Sequence, residues 1–353
     1  MAPTRLRGLI AAAAITVLSL SACSTGPAGG GTEAAGNNEA GSADAFPVTI
    51  EHVYGETVIE EKPERVATVS WVNADVSLAL GVVPVGMPLD EYGQNENGST
   101  PWKDAKLEEL GAPIGSENAP VQYSELDGIA FDEIAATNPD VILAVYSGIT
   151  EEDYQTLSEI APVIAYPEMP FGTAWQDSTR IIGEALGLSE KAEEVVTETE
   201  TAIEEASAEY PAFEGKTFIW GNLAPQGPEP IGIYASGDNR PRFLTQLGMV
   251  EADVVTENLD AAGGSFYFPW AAERANELES DIFVTSVDSE EVATAIAEDP
   301  LLSQIPAVEN GTLVADTNPT RTLSLSAANP ISLIWALDEW LPMLNEAAEA
   351  AEQ

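Results

Sequence analysis

The chain has 353 residues, 44% of them hydrophobic, and a formal charge of −46. That length can bury a sizeable core, in two lobes. Its negative charge repels nucleic-acid phosphates and anionic headgroups, which excludes both as partners. A single cysteine, Cys23, rules out a disulfide framework, and a single histidine, His52, leaves little from which to build a zinc site.

In chain order, Arg5 and Arg7 precede an apolar run over residues 9–20 that is too short to span a bilayer. Loss of this segment would make the chain still more acidic. Leu20-Ser21-Ala22-Cys23 follows and resembles a bacterial lipobox, so residues 1–22 are expected to be a signal peptide and Cys23 the lipidated new N-terminus. Residues 23–46 are rich in Gly, Ala, Ser and Asn and form a lipid-anchored flexible linker, with a reach of roughly 25 Å. Residues 47–170 read as an N-terminal α/β lobe. Residues 46–58 read as a strand or a hairpin around Gly55, and short buried strands centre on residues 66–69, 82–86, 139–145 and 162–166, with helices over 73–80, 127–137 and 151–160. Residues 90–106 read as a long surface loop carrying Tyr92 and Trp102. His52 reads as a surface strand residue.

Residues 171–210 carry apolar side chains at helical spacing, among them Trp175, Ile182, Val195, Val196 and Ile203, with a break at Gly187. This connecting segment predicts a stiff spacer between two α/β halves; a pair of surface helices within one domain has the same periodicity. The pattern restarts over 211–353, a C-terminal α/β lobe. Its strands are expected at 216–220, 231–234, 281–285 and 312–315, its helices at 242–247, 270–278 and 290–297, and a last helix runs from Pro330 to about Ala350. Alternating strands and helices point to parallel βαβ units.

Ligands of open parallel sheets bind beyond the carboxyl ends of strands. The aromatic residues there, Trp71, Trp102, Tyr146, Trp220, Tyr267 and Trp270, are candidates to cover a bulky, partly apolar ligand. Only 13 residues are Lys or Arg, so Arg240, Arg242 and Arg321 in strand-end loops stand out. A guanidinium offers a rigid donor fork for ligand oxygens and stacks on rings; it can equally neutralise a neighbouring acid. Trp175 and Trp335 read as core.

Several motifs together resemble one family. Residues 60–67 look like the entry to its first core strand, Ala79-Leu80-Gly81-Val82-Val83-Pro84-Val85-Gly86 is similar to its next turn, and Phe131-Asp132-Glu133-Ile134 through Pro139-Asp140-Val141-Ile142 is similar to its helix-to-strand signature. Residues 157–163 match the turn after that. The family is the substrate-binding proteins of ABC importers for iron–siderophore chelates, haem and cobalamin. The resemblance implies two parallel-sheet α/β lobes joined by one long backbone helix, a ferric siderophore captured between them and an ABC transporter permease as partner. It also implies a monomer anchored to the membrane outside the cytoplasm. No cofactor is expected, iron entering only inside a chelate. Acidic residues that dock the permease fall at Asp132 or its neighbour Glu133, and at Glu273.

Haem or cobalamin is the alternative cargo. A zinc or manganese binder would need His, Asp and Glu ligands in the cleft. A secreted serine hydrolase would need a nucleophile elbow and a histidine base; no Gly-x-Ser-x-Gly occurs, and no residue is assigned a catalytic role. A binding lobe feeding a sensor would look the same as one feeding a transporter.

Overall fold

The fold is that of a computed structural model, which describes residues 45–352 apart from 226, 228 and 260–262. Cys23, the expected signal peptide and nearly all of the linker lie outside the described residues. The first lobe opens with an antiparallel hairpin, β1 (Val48–His52) and β2 (Gly55–Ile59). There follow β3 (Val66–Thr68), α1 (Asn73–Ala79), β4 (Gly86–Pro88), α2 (Pro101–Glu109), β5 (Val121–Tyr123), α3 (Phe131–Ala136), β6 (Val141–Ala144), α4 (Glu151–Ser158) and β7 (Val163–Ala165). Their sheet is entirely parallel, in the order β5-β4-β3-β6-β7. Its central strands are buried on both faces, which explains why β6 reads as an unbroken apolar run and β3, Val-Ala-Thr, carries no charge.

The second lobe holds β8 (Thr217–Asn222), β9 (Ile231–Tyr234), α7 (Asn239–Gln246), β10 (Val250–Glu251), α8 (Asp253–Thr256), β11 (Tyr267–Trp270), β12 (Ile282–Ser286), α9 (Glu290–Glu298), α10 (Pro306–Glu309), β13 (Leu313–Asp316), α11 (Pro319–Ser326) and α12 (Pro330–Ala350). This sheet is mixed, which corrects the expectation of two parallel sheets. The strands β8, β12 and β13 are parallel, but β9 runs antiparallel to the end of β8, and β11 antiparallel to β9. Residues 267–270 are strand, and in place of the helix expected over 270–278 only a 3-10 turn follows, over Ala272–Glu277.

Between the lobes lie α5 (Trp175–Ala185) and α6 (Ser189–Ser207). The spacer is thus two helices. Gly187 breaks it with φ +61°, and a Cβ there would press on the Phe46 ring. Ile182, Ala185, Ala192 and Val195 enter the first lobe's core, while Trp175, Val196 and Ile203 enter the second's. The helix α12 does the same: Ile331 and Trp335 pack on the first core, and Leu333, Ala336, Trp340 and Leu344 fill the second. The stiff element is therefore a pair of helices, α6 and α12, each shared by both lobes.

Two expectations fail for identifiable reasons. Residues 101–109 form a helix within the stretch read as a loop: Thr100 caps it by accepting the Lys103 N–H, and Pro101 fits its first turn. His52 is buried, its Nε2 2.9 Å from Thr57 Oγ1 and its ring against Tyr154. Burial lowers its pKa below the ordinary histidine value.

Lys103 is 3% exposed and lies between Asp90 (2.7 Å) and Asp75 (3.4 Å), and Asp75 also accepts the Trp102 indole N–H. Burial alone would depress the lysine pKa, but the two carboxylates outweigh it and hold the amine charged. Lys103→Met would leave two buried acids without a cation, costing about 3–5 kcal/mol at neutral pH. Burial already raises the Asp90 carboxyl, and without the cation it would bind its proton still more tightly in the folded than in the unfolded chain, so stability lost at pH 7 should return as pH falls towards 5. Urea midpoints of both proteins at the two pH values check this.

Candidate functional site

Between the lobes the structure opens a cavity of about 600 Å³, lined from both sides. The first lobe contributes Trp71, Tyr92, Tyr146 and Phe171; the second contributes Asn222, Tyr234, Asp238, Arg240, Phe266, Tyr267, Ser286 and the α11 residues Thr322, Leu323 and Ser326.

Trp71 is 39% exposed and sits on the loop leaving β3, between Ser70 (φ 60°) and Val72 (φ 72°). A β-branched residue at positive φ is strained and needs its surroundings to hold it. Asn73 does so. Fully buried, its amide donates to the carbonyls of Val69, Trp71 and Tyr146 and its oxygen accepts the Tyr146 N–H, joining the β3 and β6 exits. Tyr146 is buried and its hydroxyl crosses to the Ser326 carbonyl at 3.1 Å. Phe171 contacts both rings, tilted against Trp71 at 6.2 Å and edge-on to Tyr146 at 5.8 Å.

On the opposite wall Asp238 caps α7 by accepting the Arg240 N–H, and its two oxygens also receive Arg240 Nε (2.7 Å) and Nη2 (2.8 Å). The guanidinium lies 3.5 Å above the Tyr234 ring. Tyr267 packs on Tyr234 at 4.9 Å and lies over Gly232, where a Cβ would strike its hydroxyl. Behind Thr322, Asp316 accepts the threonine hydroxyl and pairs with Arg321.

Of the nine candidate ligand residues, Trp71, Tyr146, Arg240 and Tyr267 come together here. The other five lie elsewhere. Trp102 is buried at the contact of α2 with α12, 5.1 Å from Trp335, and its indole N–H is taken by Asp75. Trp220 points from β8 into the second core against Trp340, at 5.3 Å. Trp270 donates to the Arg274 carbonyl with the Arg274 guanidinium over its ring, beside a separate hollow lined by Asp253, Glu277 and Asp281. Arg321 braces Asp316 and Glu339. Arg242 turns to the carbonyls of Ser236 and Gly172 and lines a neighbouring hollow of about 460 Å³ with Asp177 and Arg180. The acids Asp132, Glu133 and Glu273 are all exposed, in the first turns of α3 and of the 3-10 turn after β11.

Sequence reasoning missed Phe171, Tyr234 and Asp238. Asp238-Asn239-Arg240-Pro241 has the pattern of a helix cap, from which the Asp–Arg pair could have been read.

The chain belongs to the periplasmic binding protein family, whose description matches residues 66–320. It is similar to PiaA, an iron uptake ABC transporter substrate-binding protein of Streptococcus pneumoniae TIGR4, in a structure solved with ferrichrome: 35% identity, TM-score 0.78, covering 86% of this chain and 99% of that one. A periplasmic solute binding protein of Mycobacterium smegmatis follows at 26% identity and TM-score 0.69, covering 85% and 98%. Over 276 residues the chain is 25% identical to YhfQ of Bacillus subtilis, named as an ABC transporter substrate-binding lipoprotein, covering 75% of this chain and 79% of that protein.

One half-buried glutamate braces a wall loop in each lobe. Glu125 Oε2 accepts the Ser70 N–H at 2.9 Å, and Glu251 receives the Ser236 N–H; each leaves Oε1 buried with no partner among the described residues. Burial pushes both up to about 7, against the stabilising backbone N–H. A folded-state value above the unfolded one favours folding at acid pH, and that advantage is lost as pH rises through about 7. Glu125→Gln should therefore match the wild type in stability at pH 4.5 and exceed it by about 2 kcal/mol at pH 8. Thermal or urea unfolding across that range measures the difference, and a constant difference at all pH values would reject the assignment.

Proposed function

We propose that the protein captures a ferric siderophore in the cleft between its lobes and delivers it to an ABC importer, without bond chemistry of its own. The observation that carries this reading is the inter-lobe cavity itself. Large rings from both lobes can cover an organic shell, and phenol, hydroxyl and guanidinium groups in the same lining can meet its oxygens. The likeness to PiaA, solved with ferrichrome, supports it. The cavity also fits a chelate better than a bare ion. Among the described residues its one lining carboxylate, Asp238, is already engaged by Arg240, and a bare transition metal needs several converging ligands.

Within this reading Cys23 carries the lipid anchor and the linker lets a monomeric body work just outside the membrane. No helix among the described residues is long and apolar enough to cross a bilayer. Asp132 or Glu133 on one lobe and Glu273 on the other meet cationic residues of the permease, their exposure being what such contacts require.

Trp71→Ala and Tyr267→Ala should each weaken binding of a ferric chelate about tenfold, equivalent to about 1.4 kcal/mol. Trp102→Phe, a change in the core, should leave affinity within about twofold. Calorimetric titration with ferrichrome tests all three. Unchanged affinity in both cleft variants would reject this cavity as the binding site.

A further inference from the structure

The proposal that a ferric chelate occupies the cleft leaves its charge open, and the charges around the cavity narrow it. Among the described residues only two charged side chains line the cavity, Asp238 and Arg240. They neutralise each other through two short hydrogen bonds, with Asp238 only 3% and Arg240 15% exposed on their side chains. The next cation, Arg321, is cancelled by Asp316 and Glu339. Arg242 is turned away, its Nε and Nη1 given to backbone carbonyls, in a separate hollow with Asp177, Glu168 and Arg180. The remaining near charges are acidic: Glu91 and Glu125 beneath Trp71, and Asp288 and Glu229 towards Tyr92 and Tyr267.

An anionic guest would lose its hydration in a cavity that offers no uncommitted positive charge, inside a chain of formal charge −46. Three bidentate groups of single negative charge, as in a tris-hydroxamate, cancel the charge of Fe(III). Three catecholates leave a trianion, and citrate complexes are also anionic. The lining suits the neutral case. Tyr267, Thr322 and Ser326 carry hydroxyls, and the guanidinium N–H groups of Arg240 not taken by Asp238 can still donate to carbonyl and N–O oxygens without adding net charge. Trp71 and Phe171 are apolar cover for a methylene backbone.

We infer that the Asp238–Arg240 pair makes this cleft selective for an electroneutral ferric chelate of the tris-hydroxamate charge class and excludes polyanionic catecholate and carboxylate chelates. The inference rests on the cleft being the chelate site.

The test is calorimetric titration of the full-length protein with ferrichrome, ferric enterobactin and ferric citrate at pH 7.5 and fixed salt. Wild type should bind ferrichrome at least about 100-fold more tightly than either anion. Asp238→Asn keeps the oxygen that caps α7 but uncovers the guanidinium charge. It should narrow the preference at least about tenfold, by strengthening the anions. Arg240→Gln, which leaves Asp238 charged and alone, should widen it. Circular dichroism establishes that each variant is folded. Equal or tighter binding of an anionic chelate by wild type, or a preference indifferent to both substitutions, would overturn the charge inference while leaving siderophore capture standing. Failure of all three chelates to bind would overturn the functional reading and the inference with it.

Discussion

The geometry of the cleft depends on two helices that belong to both lobes at once. The helix α6 sends Ala192 and Val195 into one core and Val196 and Ile203 into the other; α12 divides its apolar residues likewise. Closely packed interiors resist sliding because each methyl group lost from contact costs free energy. Swinging one lobe against the other would open both cores along these helices. A small adjustment at the strand-end loops is then the natural response to a ligand, in contrast to the wide hinge of proteins whose lobes are joined by flexible strands.

On that fixed frame, each wall of the cavity is stiffened locally. Asn73 ties the β3 and β6 exits together on one side, and Asp238 serves as helix cap and arginine partner on the other. Both are short polar side chains whose bonding capacity is spent on backbone or on one ion pair, so the rings they position are presented without a free charge beside them. The cavity is polar enough to orient a guest and neutral overall, although the chain around it is strongly acidic.

Much of this was legible in the residues. The apolar spacing over 171–210, the break at Gly187 and the alternating strands yield the two-lobed architecture, and the rule that ligands sit beyond strand ends finds Trp71, Tyr146, Arg240 and Tyr267. The rule gives no facing. Trp220 lies near the end of a strand, but its side chain points into the core, whereas the neighbouring exit residue Asn222 reaches the cavity. On α11, Thr322 and Ser326 stand one turn apart and line the cavity, so Arg321, displaced by about 100°, reaches Asp316 and Glu339 instead. Trp102 lies on a helix whose only start signal, Thr100-Pro101, follows a run of Gly and Asn residues that has the composition of a loop. Tyr234 could not be placed without knowing that β9 runs antiparallel, since that reversal is what brings it beside Tyr267.

The account's central claim is that a preformed cavity between rigidly spaced lobes is where the chelate sits. A crystal structure of the protein with ferrichrome tests this most directly. The account predicts iron between the Trp71–Tyr146 wall and the Arg240–Tyr267 wall, with α6 and α12 keeping their packing and the lobes displaced only slightly. Iron in the hollow beside Arg242 and Arg180, or lobes that have swung apart around a rebuilt α6, would contradict it.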